Sequence, residues 1–377
     1  MTSMTVTTIG TLGVMCCSRP GTPPLSEEGF CRRLSLVAPK YGLNIIAFCP
    51  QDVLNTEVKI QAYVYKQGQW VNVTVPFPDI VYDRCLFRKD EDLRAAAKLM
   101  SQVSKHKPWI VWSRGLPGKW QIYRTLKKDI RLLPYLPPTS LYQGAASLKQ
   151  NLAAYGNEVF LKPQSGSQGK HTLYIKYDPL QHSYFIQGRS ANNTPFTKEL
   201  SHSSMVIPWI EHFTRKRNFL IQPYLHLQSR EGYPFDIRVL MQKNESGQWT
   251  HTGMAVRRGK KGGITSNLHG GGRAVTVLPF LTKEFGITQA EQTTTELHQL
   301  SEVIPEILES HYGRLGELGI DFGMDMNGNI WLLEVNSKPG RTSFRQIDDP
   351  DSALLAAENP LRYARYLLLR QLRRVNS

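Results

Sequence analysis

The chain has 377 residues, 41% of them hydrophobic, and a formal charge of +15 at pH 7. Length and apolar content support two or three packed units with real cores, and they exclude a disordered or fibrous chain. The charge suits nucleic acid and anionic substrates alike, but the basic residues are spread along the chain without a helix-turn-helix, zinc-finger or RNA-recognition signature, so nucleic acid is set aside as the main partner.

Residues 1–113 read as a small α/β unit. Val6 to Met15 and Asn44 to Phe48 are expected strands, with a helix from Glu28 to Tyr41 between them and a hairpin from Val58 to Val75. Pro76 to Arg84 ends the hairpin and begins another buried strand, and a helix follows from Asp90 to Lys105. The five cysteines, Cys16, Cys17, Cys31, Cys49 and Cys85, all lie here without metal-ligand or redox spacing, which points to reduced thiols. Met1 to Val14 has neither a basic start nor a long apolar run, so no signal peptide or membrane span is expected and a cytoplasmic location follows.

Trp112 to Lys119, rich in Gly and Pro, marks a boundary, and Trp120 to Ile130 has helical spacing. Beyond the break at residues 133–139, Ser147 to Tyr155 reads as a helix and Val159 to Pro163 as a strand. Hairpin-like strands are expected to about residue 280, then helices from Gln289 to Leu318. Pro360 to Val375 is an amphipathic helix, read as packed on the domain rather than on a membrane surface.

The stretch from Gly319 to Asn336 carries the strongest chemical signal. Asn327-Gly328 between two apolar-rich runs predicts a two-residue hairpin turn, which sets Asp321 opposite Glu334. Like charges across a ladder destabilise it, and a divalent cation would remove the defect. Asn336 shares the face of Glu334 by the period of two, and two carboxylates with one amide suit Mg²⁺. A solvated polar face on an ordinary hairpin is the alternative.

Phe160 to Ile175 reads as strand, small-residue loop, strand. Ser165, Gly166, Ser167, Gln168 and Gly169 could bring backbone N–H groups close to an anion, although the loop lacks the spacing of a Walker A motif. Lys162 alternates with Leu161 and so points away from the core; an ordinary surface lysine is the plainer reading. Asn218 to Leu225 is an apolar strand stopped by Pro223, leaving backbone groups that a purine could use. Arg238 and Arg257 each interrupt an apolar strand, so an internal acid or a ligand phosphate must answer them; Asp236, on the face of Arg238, is one such acid. Gly262 to Arg273, with Asn267 inside it, is a long glycine-rich loop of the functional kind.

Taken in order, these segments resemble the ATP-grasp superfamily over residues 115–345. The Asn267-Leu-His269 loop and the Asp321, Glu334, Asn336 set are similar to ribosomal-protein glutamate ligase-type enzymes. Phe77 to Arg84, Gly118-Lys-Trp and, most specifically, Glu334-Val-Asn-Ser-Lys-Pro-Gly340 resemble the YheC/YheD endospore coat-associated proteins.

The resemblance implies an α/β (α+β) ATP-grasp fold: an N-terminal pre-ATP-grasp-like domain at 1–113, then 114–377 divided at residue 222 into a lid-bearing part and a metal-binding part. It implies ATP and Mg²⁺ or Mn²⁺ as cofactors. Lys119 and Lys162 would be the two nucleotide-binding lysines, the second contacting phosphate and the adenine region; Ser165 to Gly169 would be the mobile loop over the phosphates, with Asn267 also in the ATP site. Gln222, Pro223, Tyr224 and Leu225 would form the hinge that receives adenine. Arg238 and Arg257 would act as catalytic cations, with Asp321, Glu334 and Asn336 as metal ligands. Members often carry an acid at the start of the hinge where this chain has Gln222, so the ribose contact stays unassigned. The activity implied is ligation of a small-molecule or peptide carboxylate to an amine or thiol through an acylphosphate. A spore-coat structural or ATP-binding protein, in contact with other coat proteins, and an ATP-grasp kinase are the rivals.

Overall fold

The computed structural model describes residues 8–54, 59–87, 90–166, 169–215, 217–266, 271–347 and 349–375. Three sheets organise it. The first contains β1 (Gly10–Met15), β2 (Leu43–Phe48), β3 (Val53–Leu54), β4 (Lys59–Lys66), β5 (Gln69–Pro76), β6 (Ile80–Asp83) and β7 (Ile110–Val111), in the order β3-β4-β2-β1-β6-β7 with β5 beside β4. Parallel pairing of β1 with β2 and β6 explains their near-continuous apolar sequences, because both faces are covered. Helix α1 (Glu28–Val37) lies on one face and α2 (Asp90–Val103) on the other. The helix expected to reach Tyr41 gives way at Ala38 to a 3₁₀ turn, where Pro39 has no N–H to donate and Gly42 ends the turn in the left-handed region.

After the short helix α3 (Lys119–Leu126), the second sheet is antiparallel. Its strands are β8 (Ser140–Leu141), β9 (Glu158–Pro163), β10 (Thr172–Asp178), β11 (Ser183–Arg189), β12 (Pro195–Leu200) and β13 (Phe219–Pro223), ordered β12-β11-β10-β9-β13-β8. Helices α4 (Ala145–Ala154) and α5 (Ser203–Thr214) cover one face, Leu148, Leu152, Val206 and Ile210 packing on Val159, Leu161, Leu173 and Ile221. The strand expectation fails for α5. Its β-branched residues and Pro208 argue against a helix, yet Val206, Ile210 and Thr214 recur at helical spacing and are buried there.

The third sheet, β16-β15-β14-β17-β18, is also antiparallel: β14 (Phe235–Lys243), β15 (Trp249–Arg258), β16 (Arg273–Val275), β17 (Glu317–Met324) and β18 (Ile330–Asn336). Helices α6 (Val277–Phe285) and α7 (Ile287–Tyr312) bury one face through Phe280, Leu297, Ile304 and Leu308. Residues from Glu317, expected at the end of a helix, already belong to β17. The C-terminal helix α8 begins at Pro350, not Pro360, and continues through Pro360 to Val375. Its Leu361, Ala364, Leu367 and Leu368 complete the core of the first sheet.

One buried network ties the first sheet to the third. Glu317, with no exposed surface, accepts hydrogen bonds from Tyr82, from Arg84 Nη1 at 2.9 Å, from Gln242 Nε2 at 3.1 Å and from Arg341. A carboxylate buried this deeply is tolerable only when cations and donors surround it.

Candidate ATP site

The hairpin pairs Asp321 with Glu334 and Gly319 with Asn336, but not through the expected two-residue turn. Residues 325–329 separate the strands. Gly328 N–H donates to the Asp325 carbonyl at 3.0 Å, and Gly328 has φ +85°, while the Asp325 carboxylate accepts the N–H groups of Asn327 and Asn329. That loop pairs Met324 with Ile330 and Phe322 with Leu332, one residue away from the register that opposes Asp321 to Glu334. A bulge at Leu333 restores it. The bulged carbonyl then accepts a hydrogen bond from Lys162 Nζ at 3.2 Å, so the irregularity joins the second sheet to the third.

The facing acids are answered by protein cations. Asp321, 7% exposed, takes two hydrogen bonds from Arg238, directly opposite on β14, and lies 3.0 Å from Arg257 Nη2. Burial pushes the Asp321 carboxyl up, but the two guanidinium groups outweigh it and hold it below the usual range. Arg257 also grips Asp236 at 2.6 and 2.7 Å, and Ser266 donates to the same carboxylate. Arg238 therefore pairs with Asp321 rather than with Asp236. Glu334 Oε1 lies 3.2 Å from Lys119 Nζ.

Lys119 opens α3, and its N–H donates to the Gln164 carbonyl at 3.1 Å while Nζ donates to the Gly166 carbonyl at 2.5 Å. It thus touches the small-residue loop and β18 together. Lys162 stands beside it on β9; enclosure pushes its ammonium down to about 8, against the pull of Glu334. These groups border a cleft between α3, β13 and β18, with Ile122, Tyr123, Leu126, Leu220 and Leu332 as its apolar walls. Few polar groups converge on it, chiefly Lys119, Lys162, Thr139, Gln222 and Glu334, which is the composition of a site for a flat ligand with a charged end.

The expected residues do not all meet there. Gln222 lines the cleft and donates to Thr139 Oγ1 at 2.6 Å, whereas Pro223, Tyr224 and Leu225 do not line it. Tyr224 turns its ring onto Tyr174, with centroids 3.9 Å apart. Ser165 and Gly166 are exposed, and Gly166 (φ +144°) and Gly169 (φ +65°) hold backbone conformations that favour glycine. Ser167, Gln168 and Asn267 lie outside the described residues, as do Val6 and Thr7 of the first expected strand. Asn336 is half-buried opposite Gly319. Among the described residues, no cluster of three or more His, Cys, Asp or Glu side chains is placed to hold a metal ion.

Sequence reasoning missed Asp236 as the partner of Arg257, and it missed Glu317. The period of two was a usable signal for the latter, since it carries Glu317 onto the face of Gly319 and Asp321.

The three sheets, with the cleft between the second and third, define an ATP-grasp protein. A model of YheC/D-like ATP-grasp proteins matches residues 109–367, and the chain belongs to that family. It is 32% identical to the endospore coat-associated protein YheC of Bacillus subtilis (strain 168), over 96% of this chain and 97% of that one. It is 29% identical to YheD of the same organism, over 82% and 68%. Among solved structures it is similar in fold to D-cycloserine synthetase DcsG (TM-score 0.53, 13% identity, 96% of this chain and 99% of that one). The N5-carboxyaminoimidazole synthetase of Staphylococcus aureus complexed with ADP is comparable (TM-score 0.53, 9% identity, 94% and 79%). No helix among the described residues is long and apolar enough to cross a membrane.

Proposed function

We propose that the chain is an ATP-dependent ligase that activates a carboxylate and joins it to an amine or thiol. The observation that carries this reading is the meeting of Lys119, Lys162 and Glu334 at one apolar cleft, next to the buried row Asp236, Arg257, Asp321 and Arg238. Phosphoryl transfer demands fixed cations where charge develops, and four are fixed here. Transfer of the terminal phosphoryl group of ATP to a carboxylate gives an acylphosphate and ADP; attack by the nucleophile then forms the new acyl bond and releases phosphate.

In this reading Lys119 and Lys162 hold phosphates, the loop from Ser165 to Gly169 covers them with Asn267, and the backbone near Gln222 to Leu225 receives the base. Arg238 and Arg257 steady the phosphoryl oxygens. Asp321, Glu334 and Asn336 would hold Mg²⁺ or Mn²⁺. Their chemistry fits, being oxygen donors only, on adjacent strands, although Asp321 is at present turned to the arginines. Such an ion, when bound, neutralises phosphate charge. Residues 1–113 would form the acceptor side, and 114–222 with 223–377 would grip the nucleotide. The name of the Bacillus subtilis relative supports a place at the endospore coat, reached from the cytoplasm.

Thermal shift with ATP and Mg²⁺ or Mn²⁺ tests the nucleotide site, since a ligand that binds the native state alone raises apparent stability. A rise is expected; none with either ion would sink the reading. A screen of amino acids, peptides and cell-wall precursors for release of both ADP and phosphate tests the ligase. ADP with a phosphorylated product and no free phosphate would assign a kinase instead.

A further inference from the structure

A second concavity lies where β15 ends and β16 begins, lined by Tyr233, Arg258, Lys260, Lys261, Arg273 and the glycines 259 and 271. Among the described residues its lining holds four cations and no carboxylate. Arg258 and Arg273 are direct cross-strand partners, so two positive charges face each other on one ladder, an arrangement that destabilises a sheet unless an anion answers it. The Tyr233 ring holds the Arg258 guanidinium at 4.5 Å from its centroid. Lys260 is laid over the backbone of Gly271, where a Cβ would come within 2.6 Å of its side chain.

Glu231 at the rim answers the group only in part. Glu231 is bound to Lys283 at 2.5 Å and reaches Arg258 only at 3.9 Å. Lys260, Lys261 and Arg273 form no ion pair among the described residues. The concavity also has a defined relation to the ATP site. Arg258 follows Arg257, whose side chain belongs to the buried row with Asp321, and alternation sends Arg258 to the opposite face. The same loop reaches the second sheet, where Gln187 donates to the Gly262 carbonyl at 2.9 Å.

We propose that this concavity is a binding site for a multiply charged oxyanion, separate from the ATP site and on the opposite face of β15. The anion site does not rest on the ligase reading. Closely spaced carboxylates of an acidic peptide and a phosphate group share the required chemistry, and the experiment separates them.

Tetraglutamate and inorganic phosphate are each titrated calorimetrically into three versions of the 377-residue chain at 0.15 M salt. These are the wild type, the double variant Lys261→Ser with Arg273→Ser, and a control of equal charge, Lys66→Ser with Lys105→Ser, at exposed positions elsewhere. The site predicts binding that weakens at least about tenfold in the first variant and is unchanged in the control. Loss confined to tetraglutamate assigns clustered carboxylates, and loss confined to phosphate assigns a phosphate group. No binding of either probe, or equal weakening in both variants, overturns the site. The ATP-induced thermal shift is measured on the same samples. It should persist in the first variant; its absence from the wild type would sink the ligase reading and leave the anion result standing.

Discussion

Lys119 Nζ lies 3.2 Å from Glu334 Oε1, which joins the start of α3 to the β17–β18 hairpin across more than two hundred residues of chain. The same nitrogen donates to the Gly166 carbonyl, so a single ammonium reads the positions of the small-residue loop and of β18 together. An incoming phosphate would compete with both contacts, and phosphate binding would therefore be coupled to the placement of loop and hairpin.

Glu334→Gln removes the charge but keeps the shape. Because this ion pair is partly exposed, stability should change by less than about 1 kcal/mol. Metal-dependent turnover should fall by about a hundredfold or more. Urea denaturation and a coupled ADP assay check the two halves, and unchanged turnover would refute the metal assignment.

Lys162 has a pKa pushed down to about 8 by enclosure, so above that pH the free protein holds it largely neutral. A phosphate beside it favours the charged form, and ATP binding near pH 9 should take up close to about one proton per site. Calorimetry in two buffers of different ionisation enthalpy measures this uptake. It should vanish at pH 6.5 and in Lys162→Met. For stability the sign is the reverse of a salt-bridged lysine. The folded value lies below the unfolded one, so the lysine is a liability below pH 8 that disappears as pH rises toward the ordinary value of about 10.4.

Asp321→Asn leaves Arg238 buried without its counter-charge, while Arg257 keeps Asp236. A loss of about 3 kcal/mol is expected in urea denaturation. The Asp321 pKa is depressed in the folded protein, so its contribution is present above the unfolded carboxylate value of about 4 and is lost as pH falls through the folded value. The variant should therefore show a shallower acid limb than the wild type, and equal acid limbs would contradict the arginine clamp.

Opposition of Asp321 and Glu334 was legible in the chain, though by a route the structure corrects. Local spacing identified two apolar runs, a turn between them and acids of matching parity, and these depend only on the two-residue period of a strand. The length of the turn and the bulge at Leu333 each shift the register by one, and they cancel. Local pattern does not show where a bulge falls, because the freed Leu333 carbonyl is satisfied by Lys162 from another sheet. Helix α5 was illegible for a related reason: packing on the second sheet overrides weak helical propensity.

By itself, then, the sequence determined which residues could carry charge into the interior, their order, and the family they belong to. Tertiary structure decided which charges meet. Arg238 went to Asp321 and Arg257 to both Asp236 and Asp321 because antiparallel register sets side chains opposite one another across strands far apart in the chain. The acids that seemed to require a cation are neutralised by arginine and lysine, since charges taken from water must be matched within a few ångströms by whatever the fold brings near.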